Sequence, residues 1–200
     1  MTGGECRGLS PLELYALLHL EQAGTDYALS LARAARVDLE AAMGAFEALE
    51  ALGLAERRAH GSALKNTVAR MKLSREVRKH HTYYTLTREG RLLARRLRHG
   101  LLGECIDRAA GEGASRLLGL LRRVGIEHAE TLARLSGIPL GEALARLEAL
   151  EALGLVTSAR PKTIKASKRK AKPKRETRAH HRYYSLTRLA ELLLRAAGRS

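Results

Sequence analysis

The sequence predicts a mainly α-helical chain with two long basic β-hairpins, organised as two tandem domains of one kind. Three observations predict it. HHTYYTLT at His80–Thr87 returns as HHRYYSLT at His180–Thr187, and EALEALGL at Glu47–Leu54 returns at Glu148–Leu155, so a unit of roughly a hundred residues is repeated. The 200 residues include no Trp and one Phe, so Leu and Ala must fill the cores, which favours packed helices. Lysine and arginine crowd ahead of each repeated segment.

In the first copy, Ser10 offers an N-cap and Pro11 suits the first helical position. Leu14, Leu17, Leu18 and Leu20 then follow at near-helical spacing as far as Gly24. Asp26 is expected to cap a short second helix carrying Ala28, Leu31 and Ala32. Asp38 is expected to cap a third, with Leu39, Met43, Phe46, Leu49 and Leu52 on one face before Gly53. The second copy repeats the order over about Glu112–Arg123, Glu127–Leu135 and Pro139–Leu153, with Leu140, Leu144, Leu147, Leu150 and Leu153 as the buried stripe. After Leu54 the helical period ends. A basic, irregular stretch leads into a segment rich in Tyr, Thr and His, which suits a strand, and a two-stranded hairpin accounts for both. Leu54 and Leu86 bracket the first hairpin, with its turn near Ala69–Leu73; Leu155 and Leu186 bracket the second, with its turn near Lys170–Pro173. Arms of about 15 residues would reach roughly 50 Å. Thr87 and Thr187 then cap closing helices, Arg88 to about Arg98 and Arg188–Ala197.

Three helices, a hairpin and a closing helix make a winged helix, a variant of the helix-turn-helix. The expected organisation is a tail over 1–9, a first winged-helix domain over 10–99 with its wing at about 55–87, a linker over 100–111, and a second domain over 112–200 with its wing at about 156–187. From Leu97 to Gly113 the chain loses periodicity and gains glycine, although helix can persist through Leu101–Ile106 and serve a domain or dimer contact. The pattern YxLTxxG at Tyr84–Gly90 resembles the end of the wing in many archaeal and bacterial winged-helix regulators; the second copy keeps Tyr184, Leu186 and Thr187 but has Ala190 in place of the glycine. The basic wing leading into HHxYYxLTREG resembles an archaeal tandem winged-helix family of unassigned function. That resemblance covers both copies and implies a fold, not an activity.

Charge is segregated. Residues 55–88 hold nine Lys and Arg against two Glu, a net of +7, and residues 156–188 hold twelve against one, a net of +11. The whole chain is +15, so everything outside the wings sums to −3. Two arms this basic repel themselves unless an external polyanion offsets them, and nucleic-acid phosphate is the expected one. The third helices point the other way. Between Asp38 and Leu52 there is no Lys or Arg, only Asp38, Glu40, Glu47 and Glu50; the second copy sets Arg146 against Glu142, Glu148 and Glu151. Carboxylates repel phosphate, which counts against base reading by these helices; their acidic faces suit solvent, packing on the other domain or a protein partner at least as well.

Alternation along a strand puts His80, Thr82, Tyr84 and Leu86 on one face and His81, Tyr83 and Thr85 on the other. Tyr84, Leu86 and their counterparts Tyr184 and Leu186 are assigned to the core. His81, Tyr83, His181 and Tyr183 are left as candidates for the exposed face, where nucleic-acid contact, by stacking on a base or bonding to phosphate, competes evenly with cross-strand packing inside the hairpin. Phosphate contacts are expected from Arg57, Arg58, Lys65, Arg70, Lys72, Arg75, Arg78 and Lys79. In the second wing they are expected from Arg160, Lys162, Lys165, Lys168, Arg169, Lys170, Lys172, Lys174, Arg175, Arg178 and Arg182. Arg91, Arg95, Arg96 and Arg98 could extend the first surface or simply face solvent.

Other classes find little support. Cys6 and Cys105 form no closely spaced pair, so neither a disulfide framework nor a zinc site is indicated, and adjacent histidines on a strand point oppositely, so no metal is expected. There is no Gly-rich phosphate loop and no nucleophile with a nearby base, so no cofactor and no catalysis are expected. No run approaches the roughly 20 apolar residues of a membrane span, and a cytoplasmic, nucleoid-associated protein is the expectation. The leading expectation is a transcription regulator or chromatin-associated factor holding double-stranded DNA through phosphate contacts by both wings. The alternatives are an RNA- or ribosome-associated factor, and a protein-interaction module of the transcription machinery.

Overall fold

A computed structural model describes residues 8–58, 82–159 and 182–198. The first repeat runs α1 (Pro11–Ala23), β1 (Asp26–Tyr27), α2 (Ala28–Ala35), α3 (Leu39–Ala51), β2 (Ala55–Arg58), β3 (Tyr83–Leu86) and α4 (Arg88–Arg96). A wide π-type turn over Leu97–Leu101 and α5 (Leu102–Ala110) follow. The second repeat runs α6 (Ala114–Val124), β4 (Ile126–His128), α7 (Ala129–Ser136), α8 (Leu140–Ala152), β5 (Val156–Ala159), β6 (Tyr183–Leu186) and α9 (Arg188–Ala197). The described chain is mainly helical, with one small antiparallel sheet per repeat, and the architecture is winged-helix-like twice over.

Local chemistry sets the helix starts. Ser10 Oγ accepts from the Glu13 N–H at 3.3 Å while Glu13 Oε2 accepts from the Ser10 N–H at 2.7 Å, a reciprocal capping box ahead of Pro11. Asp38 Oδ1 accepts from the Ala41 N–H at 2.7 Å and opens α3. Asp26 does not cap α2 as expected. It lies in β1, and its carboxylate accepts from Ser30 Oγ and sits 2.7 Å from His19 Nε2, tying α1 to α2. The reason is the sheet. A two-stranded hairpin was expected, but β1 pairs with the free edge of β3, giving the order β1-β3-β2, and β4-β6-β5 repeats it. Two strands alone are marginal in water; a third satisfies the second edge of the middle strand.

The buried stripe of the third helix is rotated from its expected place. Ala42, Ala45, Phe46 and Leu49 are buried in α3, whereas Leu39, Met43 and Leu52 are exposed by 45%, 46% and 56%. In α8 the buried set is Ala143, Leu147 and Leu150, with Leu140, Leu144 and Leu153 half-buried.

The expected linker is helical. α4 runs through the π-type turn into α5, with the kink at His99 and Gly100, whose φ of 112° a side chain would resist. Leu97, Leu101, Leu102, Cys105 and Ile106 are buried, and the division between the two compact units falls within this stretch, after Cys105. Cys105 is disulfide-bonded, contrary to the expectation from cysteine spacing; the other cysteine of the chain, Cys6, lies outside the described residues.

The chain divides into two compact units that do not follow the repeats. One comprises residues 1–105 with 188–200; the other is Ile106–Thr187. Helix α9, though the last element of the second repeat, therefore belongs with the first, where it packs along α1. That explains why α1 buries Leu14, Tyr15, Ala16, Leu17, Leu18 and Leu20, more than one face: α3, β3, α4 and α9 all lie against it. The second unit is built on α6, α7 and α8 around Leu117, Leu118, Leu121, Leu132 and Leu147.

Candidate nucleic-acid interface

The described part of each wing is its root. In the first, Arg57 pairs in register with Tyr84 and Arg58 with Tyr83; in the second, Ser158 pairs with Tyr184 and Ala159 with Tyr183. Arg57 and Arg58 are exposed at the outer end of β2, and Arg182 is exposed just ahead of β6. The remaining residues assigned to contact from the sequence lie outside the described residues. These are Lys65, Arg70, Lys72, Arg75, Arg78, Lys79 and His81 in the first wing. In the second they are Arg160, Lys162, Lys165, Lys168, Arg169, Lys170, Lys172, Lys174, Arg175, Arg178 and His181, and both expected turns lie there too.

Each root is clamped to the helix beneath it. Arg57 Nε donates to Glu50 Oε2 of α3 at 2.8 Å, and this bond raises the guanidinium pKa. The Arg57 guanidinium also stands 5.9 Å from the centre of the Tyr84 ring, which in turn stacks on Phe46 at 5.0 Å. In the second repeat Glu151, at the position of Glu50, instead accepts from the Ser158 N–H at 2.9 Å. One acid on the third helix therefore orients the departing strand in both copies.

Tyr84 and Tyr184 are core residues, 4% and 0% exposed, as strand alternation implied. Tyr83 and Tyr183, the expected exposed pair, are half-buried instead: Tyr83 packs on Tyr27 of β1 at 5.4 Å and Tyr183 on His128 of β4 at 5.7 Å. Thr85 is also buried, donating to the Gly24 carbonyl at 2.8 Å. The third strand, which the sequence reading missed, covers that face. Its one local signal is the Gly-Thr-Asp-Tyr run at residues 24–27, too short to carry a strand period.

Burial raises the pKa of the Tyr84 and Tyr184 phenols above the ordinary 10.0, partly offset by Arg57 and Arg182 respectively. A folded-state value above the unfolded one means that the stabilisation is complete below about pH 10 and is lost as pH rises through the raised values. The urea midpoint should therefore hold level up to about pH 10 and fall beyond it. Replacing both tyrosines by phenylalanine should flatten that fall; a decline of unchanged slope would show that other groups cause it.

The flanking arginines are partly committed to the fold. Arg91 donates to the Leu86 carbonyl at 2.7 Å, Arg98 lies 3.0 Å from Glu21, and Arg146, the single base on α8, pairs with Glu142 at 2.8 Å. Among the described residues no group of three His, Cys, Asp or Glu is placed to hold a metal ion, and no helix is long and apolar enough to cross a membrane.

No curated protein and no solved structure matches the chain. A family model does, twice, over residues 9–97 and 110–197, which are the two repeats read from the sequence. The chain belongs to the family described as uncharacterized protein conserved in archaea, DUF2250.

Proposed function

We propose that this protein binds double-stranded DNA through its two basic wings, as a transcription regulator or chromatin-associated factor of the archaeal cytoplasm. The observation that carries the reading is the charge distribution: +18 resides in residues 55–88 and 156–188 of a chain whose total is +15. Phosphate contacts supply the affinity, and little of it depends on base sequence. The acidic outer face of α3 and the pairing of Arg146 with Glu142 support that division, since neither offers a donor fork to base edges.

Salt titration tests it. Each phosphate neutralised contributes about 0.9 to the slope of log affinity against log salt, so replacing Lys168, Arg169, Lys170, Lys172, Lys174 and Arg175 by glutamine should flatten the slope by up to about 5. Unrelated duplexes should bind within a few-fold of one another. A shallow slope with strong preference for one operator would overturn the reading, and so would clear preference for structured RNA over duplex DNA at matched salt.

A further inference from the structure

The side of α3 that a helix-turn-helix protein turns toward DNA is apolar and acidic here. At about 100° per residue, Leu39, Met43, Glu47 and Glu40 fall within one sector of α3 that borders the Ala42, Phe46 and Leu49 face, with Leu39 next to Phe46 and Glu47 and Glu40 farthest from the core. Leu39 and Met43 are nearly half exposed. With Tyr27 and Leu29 they line an open groove of about 150 Å³ between α3 and the sheet, bounded by Arg57 and Tyr84. Small-molecule pockets run to roughly 300–1,000 Å³. This one suits an aliphatic side chain or two.

The corresponding positions of the second repeat are more polar. Where the first has Tyr27, Leu29 and Arg57, the second has His128, Glu130 and Ser158, and its Leu140 and Leu144 are half-buried. A requirement of the fold would appear in both copies. A more apolar shelf on one copy answers to something outside the fold.

We propose that this groove docks a short amphipathic segment of a protein partner, seating an aliphatic side chain among Leu29, Leu39 and Met43 and basic side chains against Glu40 and Glu47. Charge selects the occupant. Glu50 is already neutralised by Arg57, but Glu40 and Glu47 form no ion pair among the described residues. Phosphate is repelled from this face. A basic segment is repelled by the wings, which hold more than the whole net charge, and attracted to this acidic face, so the protein carries two surfaces of opposite preference: wings for a polyanion and this groove for a cationic, apolar strip.

The test uses the full chain labelled with carbon-13 at methionine methyls, Met43 being the one methionine among the described residues. The probes are a short helical peptide of patterned Leu and Lys, its Leu and Glu counterpart, and a duplex DNA. The Leu–Lys peptide should shift the Met43 methyl, and Leu39→Ser should raise the peptide concentration needed for that shift by about tenfold or more. Leu39 is exposed, and the same variant should bind duplex DNA as before, which separates failure of the groove from failure of the wings. The proposal is overturned if the Leu–Lys peptide leaves Met43 unmoved or if the Leu–Glu peptide binds equally. It is also overturned if the duplex shifts Met43, or if protein concentration alone does, since the occupant would then be DNA or a second copy.

Discussion

A chain ending at Thr187 is expected to lose its first repeat before its second. Helix α9 buries Ala190, Leu193 and Ala196 against the unit built on α1, and burying one leucine is worth about 1.5–3 kcal/mol. Removing the helix also bares part of α1, including the side of Tyr15 that lies near Arg188 and Arg195, so the combined loss is on the order of 3–6 kcal/mol. Against a total stability of roughly 5–15 kcal/mol, that is a large fraction of the margin that keeps the unit folded. Hydrogen exchange localises the effect. Amides of α1 should lose protection while those of α6 and α8 keep theirs, and Leu193→Ala should give a milder version of the same pattern. Leu147→Ala, in the core of the second unit, should give the opposite pattern. Protection lost mainly from α6 on truncation would mean that α9 serves its own repeat.

Gly90→Ala is expected to cost about 3 kcal/mol, against the roughly 1 kcal/mol gain that alanine brings to an ordinary helix position. A Cβ at Gly90 would overlap the Leu54 carbonyl oxygen, which is backbone and already accepts from the Thr87 N–H at 3.0 Å. Thr87 organises the junction: its hydroxyl accepts from the Gly90 N–H at 3.1 Å and donates to the Gly53 carbonyl at 2.7 Å. The YxLTxxG pattern is thus a seat, in which threonine clamps α4 to the turn after α3 and glycine lets the helix lie on that turn. Thr187 makes the same bond to the Gly154 carbonyl, but the position of Gly90 is Ala190, in a helix whose packing partner is α1. Ala190→Gly should therefore cost only about 1–2 kcal/mol, the propensity difference plus the loss of one fully buried methyl. Urea midpoints of the two variants measure the contrast, and equal costs would contradict the steric explanation.

Much of this was legible because it is local. Ser10, Asp38 and Thr87 cap the helices they were assigned to, since a cap needs only its own next three residues. Tyr84 and Leu86 fell to the core by strand parity alone. What failed was decided by neighbours distant in sequence. Asp26 has the composition of a cap, but the open edge of a strand almost sixty residues later claims its backbone. Leu39 and Met43 have the composition of core, but the face of α3 that is buried is the one carrying Ala42, Ala45, Phe46 and Leu49, which leaves them outside. The linker's glycines suggested a tether because the leucines between them find their burial only in three dimensions.

The same boundary runs through function. Charge needs no fold to be counted, so the two basic arms and the acidic third helices are properties of the sequence itself, and they carry the reading of a phosphate-binding protein. The duplication is equally a sequence fact, and it suggested two interchangeable domains. Tertiary structure decided otherwise. Helix α9 crosses to the first unit, one copy keeps an apolar groove where the other has Glu130 and His128, and Glu50 holds a wing root through Arg57 where Glu151 uses a backbone N–H. Repetition copies residues, but burial depends on which surfaces meet, and in this chain equivalent positions meet different neighbours.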